Sequence, residues 1–319
     1  MSVNRPSAVA KGRPPLLLVA GPTGAGKSRA ALALALEYNG AIINMDSRQI
    51  YRDFPIITAQ PDAEEQRAAP HMLYGFLPCE AKMTAGVYAK LAAEAVAQCR
   101  AKGRLPILVG GTGLYIQALL AGIADIPAVP ADISRYWQER LRVAGARELH
   151  RELARLDPDY AAKIHANDSQ RITRALEVCT ATGRAFSWWH KQPEAAPLAS
   201  GTVLRLGVGL PLAELTLHLK ERIGQMLASG AVEEARRALT HCRDPRAPGW
   251  SGIGCAELFS FVHGELGLEQ TLDLWLRNTR AYAKRQMTWF KKDTNIHWFS
   301  PDDLGAILRE AGRFLASGR

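Results

Sequence analysis

Eight residues constrain this chain more than any others: Gly21-Pro22-Thr23-Gly24-Ala25-Gly26-Lys27-Ser28. They follow the wholly apolar run Leu16–Ala20 and precede the alanine- and leucine-rich stretch 29–38. A short apolar run reads as a strand buried on both faces of a parallel sheet, and the stretch after the glycines reads as a helix. A G-x-x-x-x-G-K-S run between strand and helix turns backbone N–H groups inward around a phosphate. The helix N-terminus adds partial positive charge, and Lys27 adds a full one. The Ser28 hydroxyl suits Mg²⁺, which bridges oxygens of the same ligand. The loop specifies a polyphosphate without specifying ATP.

The rest of the chain extends this pattern. A second strand over 41–45 ends at Asp46, a helix over 85–101 leads into a buried strand over 106–109, and Gly110-Gly111-Thr112-Gly113 precedes a helix over 114–120. Alternation of this kind predicts an α/β fold, an open parallel sheet of P-loop NTPase type. From about Pro127 to Trp189 the sequence turns helical, charged and rich in arginine, with no strand before 203–209. The expected organisation is a loose basic tail over 1–15, a first core segment over 16–126 and a helical insertion domain over 127–195. Residues 196–319 complete the core and add C-terminal helices. A Pro/Ala/Gly stretch, 192–201, closes the insertion.

Composition narrows the partners. A net charge of +9 favours a polyanion such as nucleic acid. Five scattered cysteines without a C-x-x-C pair argue against a disulfide framework or structural zinc, and predict reduced core thiols in a cytosolic protein. The basic, proline-containing N-terminus is no signal peptide, and no apolar run is long enough to span a membrane.

Several later segments, in order, resemble the tRNA dimethylallyltransferase (tRNA isopentenyltransferase) family. They include Asp46-Ser47-Arg48-Gln49-Ile50-Tyr51, Thr58-Ala59-Gln60-Pro61, Pro70-His71 and Gly110-Gly111-Thr112-Gly113-Leu114-Tyr115. Further on come the stretch 167–178, Arg222 with Met226-Leu227-Ala228-Ser229-Gly230, and Ala283-Lys284-Arg285-Gln286-Met287-Thr288-Trp289. The resemblance implies transfer of a dimethylallyl group from its diphosphate to the exocyclic amine of the adenosine beside the anticodon in tRNA. The phosphate loop, Gly21 to Ser28, then holds a diphosphate leaving group, and no ATP is consumed.

Such transfer needs an amine relieved of its proton and a diphosphate whose departing charge is stabilised. Asp46, at the carboxyl end of a strand beside the loop, is the natural base, and by resemblance it contacts the adenine amine. A carboxylate there also suits a water on Mg²⁺ or a helix cap. Ser47, Arg48 and Gln49 are implied to hold the base or its neighbours. Thr23 and Thr112 are offered as hydroxyl donors near the diphosphate or the reacting base. Arg222 matches the family arginine that reaches the diphosphate from outside the loop.

An RNA-facing surface is expected on the C-terminal helix. Projected at 100° per residue, Arg277, Arg280, Lys284 and Lys291 fall within roughly 60° of one another, with Trp275, Tyr282 and Trp289 nearly opposite. A basic stripe backed by an aromatic one suits a helix packed on the core with its charged face against phosphates. By resemblance Arg280, Lys284, Arg285 and Gln286 meet tRNA, as do Gln170, Arg171 and Arg174, with Arg135 at a similar position in the insertion. The chain departs from the family pattern at Gly75, at 84–88 and at Gly254-Cys255-Ala256-Glu257. Competing readings are a P-loop small-molecule kinase, an adenylate isopentenyltransferase and a non-catalytic RNA-binding module. ATP turnover without prenyl donor marks the first, and RNA binding without turnover marks the last. The long insertion and basic helix favour RNA over a free nucleotide, and the expected protein is a monomer.

Overall fold

The computed structural model describes residues 14–192, 196–198 and 203–317. Most of the expected basic tail and part of the 192–201 stretch lie outside the described residues. Two compact units result: one comprises Met1–Leu120 with Leu198–Arg319, and the other Ala121–Pro197.

The first unit is built on a parallel sheet. Its strands are β1 (Leu16–Ala20), β2 (Gly40–Asn44), β3 (His71–Met72), β4 (Leu105–Gly110), β5 (Val203–Val208) and β6 (Ile296–Phe299), in the order β3-β2-β4-β1-β5-β6. Every pairing is parallel, with Leu18 opposite Leu108 on one side and Arg205 on the other. All five residues of β1 are buried, as a central strand covered on both faces requires. Leu17 and Val19 join α1 (Lys27–Glu37) and the last helix in one apolar cluster that includes Ala30, Leu34, Ile307 and Ala311.

Short α2 (Ala63–Ala68) opens with a capping box: the Asp62 carboxylate accepts N–H bonds from Glu64 and Glu65, and Glu65 accepts the Asp62 N–H. Next come α3 (Ala85–Ala101), started by Thr84 as N-cap, and α4 (Gly113–Ala121). The chain then leaves the core and returns at β5.

The helical unit contains α5 (Ala131–Leu156), α6 (Pro158–Ala161), α7 (Ser169–Thr182) and α8 (Phe186–His190). It has its own core, in which Trp137, Leu149, Leu153, Ile172, Leu176 and Phe186 pack together. The Trp137 indole N–H donates to Thr180 Oγ1 at 3.0 Å, tying α5 to α7. Inside α5, Gly145 sits at φ 78°, ψ 165°, which breaks the helix into two segments; only glycine takes that backbone without strain. Asp157 is buried and accepts N–H bonds from Tyr160 and Ser187, fastening α6 and α8 to the end of α5.

The first unit is completed by α9 (Leu212–Ala228), α10 (Ala231–Leu239), a 3₁₀ turn over Pro248–Ser251, α11 (Cys255–Val262), α12 (Leu268–Phe290) and α13 (Leu304–Ala316). Two strands, β3 and β6, were not anticipated from sequence. Two residues are too few for an apolar pattern, and β6 at the sheet edge follows buried Ile296 with exposed His297 and Trp298.

The expectation of wholly reduced cysteines is corrected at one pair. Cys79 and Cys242, 163 residues apart in sequence, are joined, whereas Cys99, Cys179 and Cys255 are free. Spacing along a chain does not reveal a pairing that only the fold brings about. Cys255, at one of the departures from the family pattern, is wholly buried; Glu257, also buried, accepts the Gly254 N–H and an Asn278 amide N–H. The Gly75 departure has a local reason as well: a Cβ there would stand 2.8 Å from the Gln60 amide oxygen, whose nitrogen donates to the Tyr51 carbonyl.

Candidate active site

Ligands of open α/β sheets sit outside the carboxyl ends of the strands. In this unit the ends of β1, β2 and β4 carry the loop 21–28, Asp46 and Gly110, and a cleft opens between them. From the loop it is lined by Thr23, Gly24, Gly26, Lys27 and Ser28. Asp46, Gln49, Thr58, Val109, Gly110 and Arg222 complete the wall. The other loop positions serve as support. Gly21 is buried, the Pro22 carbonyl accepts the Lys27 ammonium at 2.7 Å, and Ala25 packs with Leu215, Leu219 and Ala283. Ser28 is exposed in the first turn of α1.

Burial pushes the Lys27 pKa down to about 8; the Asp46 carboxylate opposes that shift and Arg222 adds to it. Arg222, projecting from α9, is lowered by burial too, with Asp46 again opposing. Two cations and one carboxylate therefore face one another across a cleft, an arrangement with an excess of positive charge that suits an anionic ligand.

The turn after β2 aims Asp46. Buried Asn44 accepts the Asp46 N–H at 2.8 Å and donates to the carbonyls of Asp46 and Leu73. Asp46 Oδ1 accepts the Arg48 N–H at 2.8 Å, so the carboxylate does cap its own turn; among the described residues Oδ2 has no hydrogen bond. Ser47 donates its N–H to Thr112 Oγ1 at 2.9 Å, which joins this turn to the one after β4. Half-buried Tyr282 lies near this junction. Burial raises its phenol to about 12, with Asp46 raising it further and Arg48 and Thr112 opposing.

Three of the expected RNA contacts also have partners within the protein. The Arg48 guanidinium donates to the Pro248 carbonyl and to Ser251 Oγ, and the Gln49 amide donates to the carbonyls of Thr58 and Ala59. Gln49 nevertheless lines the cleft. Gln286, expected by resemblance to meet tRNA, is only 4% exposed and lies between the phosphate loop and the Gly111 turn. The basic stripe itself is exposed at Arg277, Arg280, Lys284 and Lys291, and so is Arg285, whose guanidinium stands 5.6 Å from the Tyr282 ring centroid. Opposite it Trp275 is buried, whereas Trp289 keeps 37% exposure while its ring covers Gly113.

In the helical unit Arg135, Gln170 and Arg171 are exposed and Arg174 is half-buried. Arg171 pairs with Asp168 at 3.2 Å and Arg174 with Glu177 at 3.6 Å, both along α7. Thr58, Val109 and Gly110 were given no role from sequence. Val109 and Gly110 end a strand whose neighbours carry the loop and Asp46, a position that could have marked them. Thr58 belongs to an irregular loop, and its only sequence signal was the family segment Thr58-Ala59-Gln60-Pro61.

Comparison with known proteins identifies the family. The family model described as IPP transferase matches residues 49–293. A tRNA dimethylallyltransferase of Nitratidesulfovibrio vulgaris is 55% identical over 305 residues, covering 96% of this chain and 98% of that protein. The solved structure of a tRNA isopentenylpyrophosphate transferase from Bacillus halodurans superposes with a TM-score of 0.67 at 31% identity, over 96% of this chain and 97% of the other. A eukaryotic dimethylallyltransferase described as acting on tRNA superposes with a TM-score of 0.75 at 27% identity, over 92% of this chain and 75% of its own. A phosphate loop facing a strand-end carboxylate, on a chain matched along nearly its whole length, thus has one home: the chain belongs to the tRNA dimethylallyltransferase family of IPP transferases.

Proposed function

We propose that the protein transfers the dimethylallyl group of dimethylallyl diphosphate to the N6 amine of the adenosine adjacent to the anticodon in tRNA. The observation that carries this reading is the opposition of Asp46 to Lys27 and Arg222 across one cleft. The N6 lone pair attacks the allylic carbon, the carbon–oxygen bond to the diphosphate breaks, and its electron pair leaves with the diphosphate. Asp46 accepts the proton that the amine loses, and Lys27, Arg222 and the loop N–H groups take up the charge of the leaving group. Thr112, bonded to the Ser47 N–H, and Gln49 are the groups beside Asp46 suited to orient the base. A base can reach them only if it is splayed out of its stack, which single-stranded anticodon-loop nucleotides allow.

The donor set fits Mg²⁺ in a limited way. Among the described residues no cluster of three His, Cys, Asp or Glu could hold a metal ion. Exposed Ser28 offers a hydroxyl at the edge of the loop, and Mg²⁺ takes most of its ligands from phosphate oxygens and water. Ser28 would hold the ion, which when bound neutralises diphosphate charge. The proposal takes the protein to act as a monomer.

The test is transfer of radiolabelled dimethylallyl diphosphate to unmodified tRNA with Mg²⁺ and without ATP. Wild type should label tRNA, and Asp46→Ala should lose on the order of 10²–10⁴-fold in rate. No incorporation by wild type into a full pool of unmodified tRNAs would overturn the proposal.

A further inference from the structure

Gln286 is the one residue of the basic C-terminal helix segment 284–286 that does not face solvent. Its side-chain oxygen accepts the Thr23 N–H at 2.9 Å, and its side-chain nitrogen donates to the Gly111 carbonyl at 2.9 Å. The two partners lie 263 and 175 residues away in sequence, one in the diphosphate cradle and one in the turn that ends in Thr112. Both halves of the amide are used, and each partner is a backbone group with no free choice of position.

The contact is close by construction. A Cβ on Gly111 would overlap the Gln286 amide nitrogen and stand 3.3 Å from the Gly21 carbonyl oxygen. Glycine is therefore required at 111 for the amide to reach in. Beyond Gly111 the chain of bonds continues, because Thr112 Oγ1 accepts the Ser47 N–H at 2.9 Å and Ser47 follows Asp46 directly. Ala283, three residues before Gln286, packs with Ala25 of the loop and with Leu215 and Leu219, so α12 meets the cradle at two points.

We infer that Gln286 is a positioning residue that holds the diphosphate cradle and the acceptor-side turn at a fixed separation, and is not an RNA contact. The inference rests on the proposed transfer reaction for its catalytic consequence, but not for its effect on diphosphate binding. The physical reason is that allylic transfer needs the leaving group and the nucleophile held on opposite sides of one carbon, and misplacement by about 1 Å can cost about 100-fold in rate. A glutamine does this with one donor and one acceptor. Glutamate keeps the acceptor for Thr23 but sets a carboxylate oxygen against the Gly111 carbonyl, and methionine keeps the volume while losing both bonds.

The experiment compares wild type, Q286M and Q286E in four readouts: kcat and KM for dimethylallyl diphosphate at saturating tRNA, the Kd of unmodified tRNA, the Kd of inorganic diphosphate with Mg²⁺, and thermal unfolding. Q286M and Q286E should lower kcat on the order of 10- to 100-fold. They should also weaken inorganic diphosphate, leave the tRNA Kd within about twofold, and retain cooperative unfolding. If Q286M fails to fold, Q286E carries the test. A folded variant with wild-type kcat and wild-type diphosphate affinity would overturn the inference. So would weakened tRNA binding with unchanged kcat at saturating tRNA, because that pattern marks an RNA contact. Wild type that binds inorganic diphosphate yet transfers no prenyl group would instead sink the proposed reaction, leaving the diphosphate comparison to judge Gln286.

Discussion

Lys27 is the most chemically loaded single residue of the cleft. Its ammonium donates to the Pro22 carbonyl, and burial brings its pKa to about 8. An anionic ligand stabilises the charged form, so the bound state has the higher pKa and binding draws a proton onto Lys27 wherever the free site has lost it. The sign follows directly. Below about pH 8 the free lysine is already charged and contributes fully to diphosphate affinity. Above that, affinity falls by up to about tenfold per pH unit until the bound-state pKa is reached. Titration of dimethylallyl diphosphate between roughly pH 7 and 9.5 should show this break near the free-site value. Lys27→Met should bind weakly throughout and show no break; a break that survives in that variant would assign it to another group.

At the scale of elements, the phosphate loop is backed as well as closed. Ala25, in the middle of the loop, packs with Leu215 and Leu219 of α9 and Ala283 of α12, and the same α9 carries Arg222. Leu219 is 1% exposed, so its removal leaves a cavity under the loop. Leu219→Ala should cost about 2–5 kcal/mol in urea unfolding and should weaken diphosphate binding beyond the stability loss. Unfolding without any change in diphosphate affinity would show that the backing is not transmitted. The loop 47–60 is held comparably from behind. Buried Glu234 accepts the N–H groups of Ile56 and Ile57 at 2.8 and 2.9 Å, and Arg48 reaches the 3₁₀ turn. Burial raises the Glu234 carboxyl while those two bonds oppose the shift.

For the whole molecule, the net charge of +9 has a local expression on the outer face of α12, where Arg277, Arg280, Lys284 and Lys291 are exposed. Cations that neutralise phosphates release counterions, and each contact to single-stranded nucleic acid adds about 0.7 to the slope of log Kd against log salt. Lys284→Ala should weaken tRNA binding across sequences and reduce that slope by roughly 0.7–1, while the KM for dimethylallyl diphosphate stays put. An unchanged slope would remove this face from the RNA interface. Among the described residues no helix is long and apolar enough to cross a membrane.

The sequence by itself determined the cradle and the strands β1, β2, β4 and β5 beside it, because each is a local pattern, while β3 and β6 carried none strong enough to read. A loop of fixed spacing between an apolar run and a helix has one packing solution, and β1 begins and ends where its apolar residues do. It also located Asp46, at the end of β2, and the family motif around Arg222. What only the tertiary structure decided was which polar groups are spent inside. Gln286 and Lys284 sit on the same stretch of helix, and periodicity alone separates exposed from buried without naming a partner. The Gln286 amide is occupied by backbone groups 263 and 175 residues away, Arg48 by a turn 200 residues away, and Cys79 by Cys242. Thr58 enters the cleft from a loop that Gln49 and Glu234 help to hold. Local pattern fixes where backbone hydrogen bonds form within strands and helices, but a side chain's long-range partner depends on the packing of elements whose order in space the chain does not spell out.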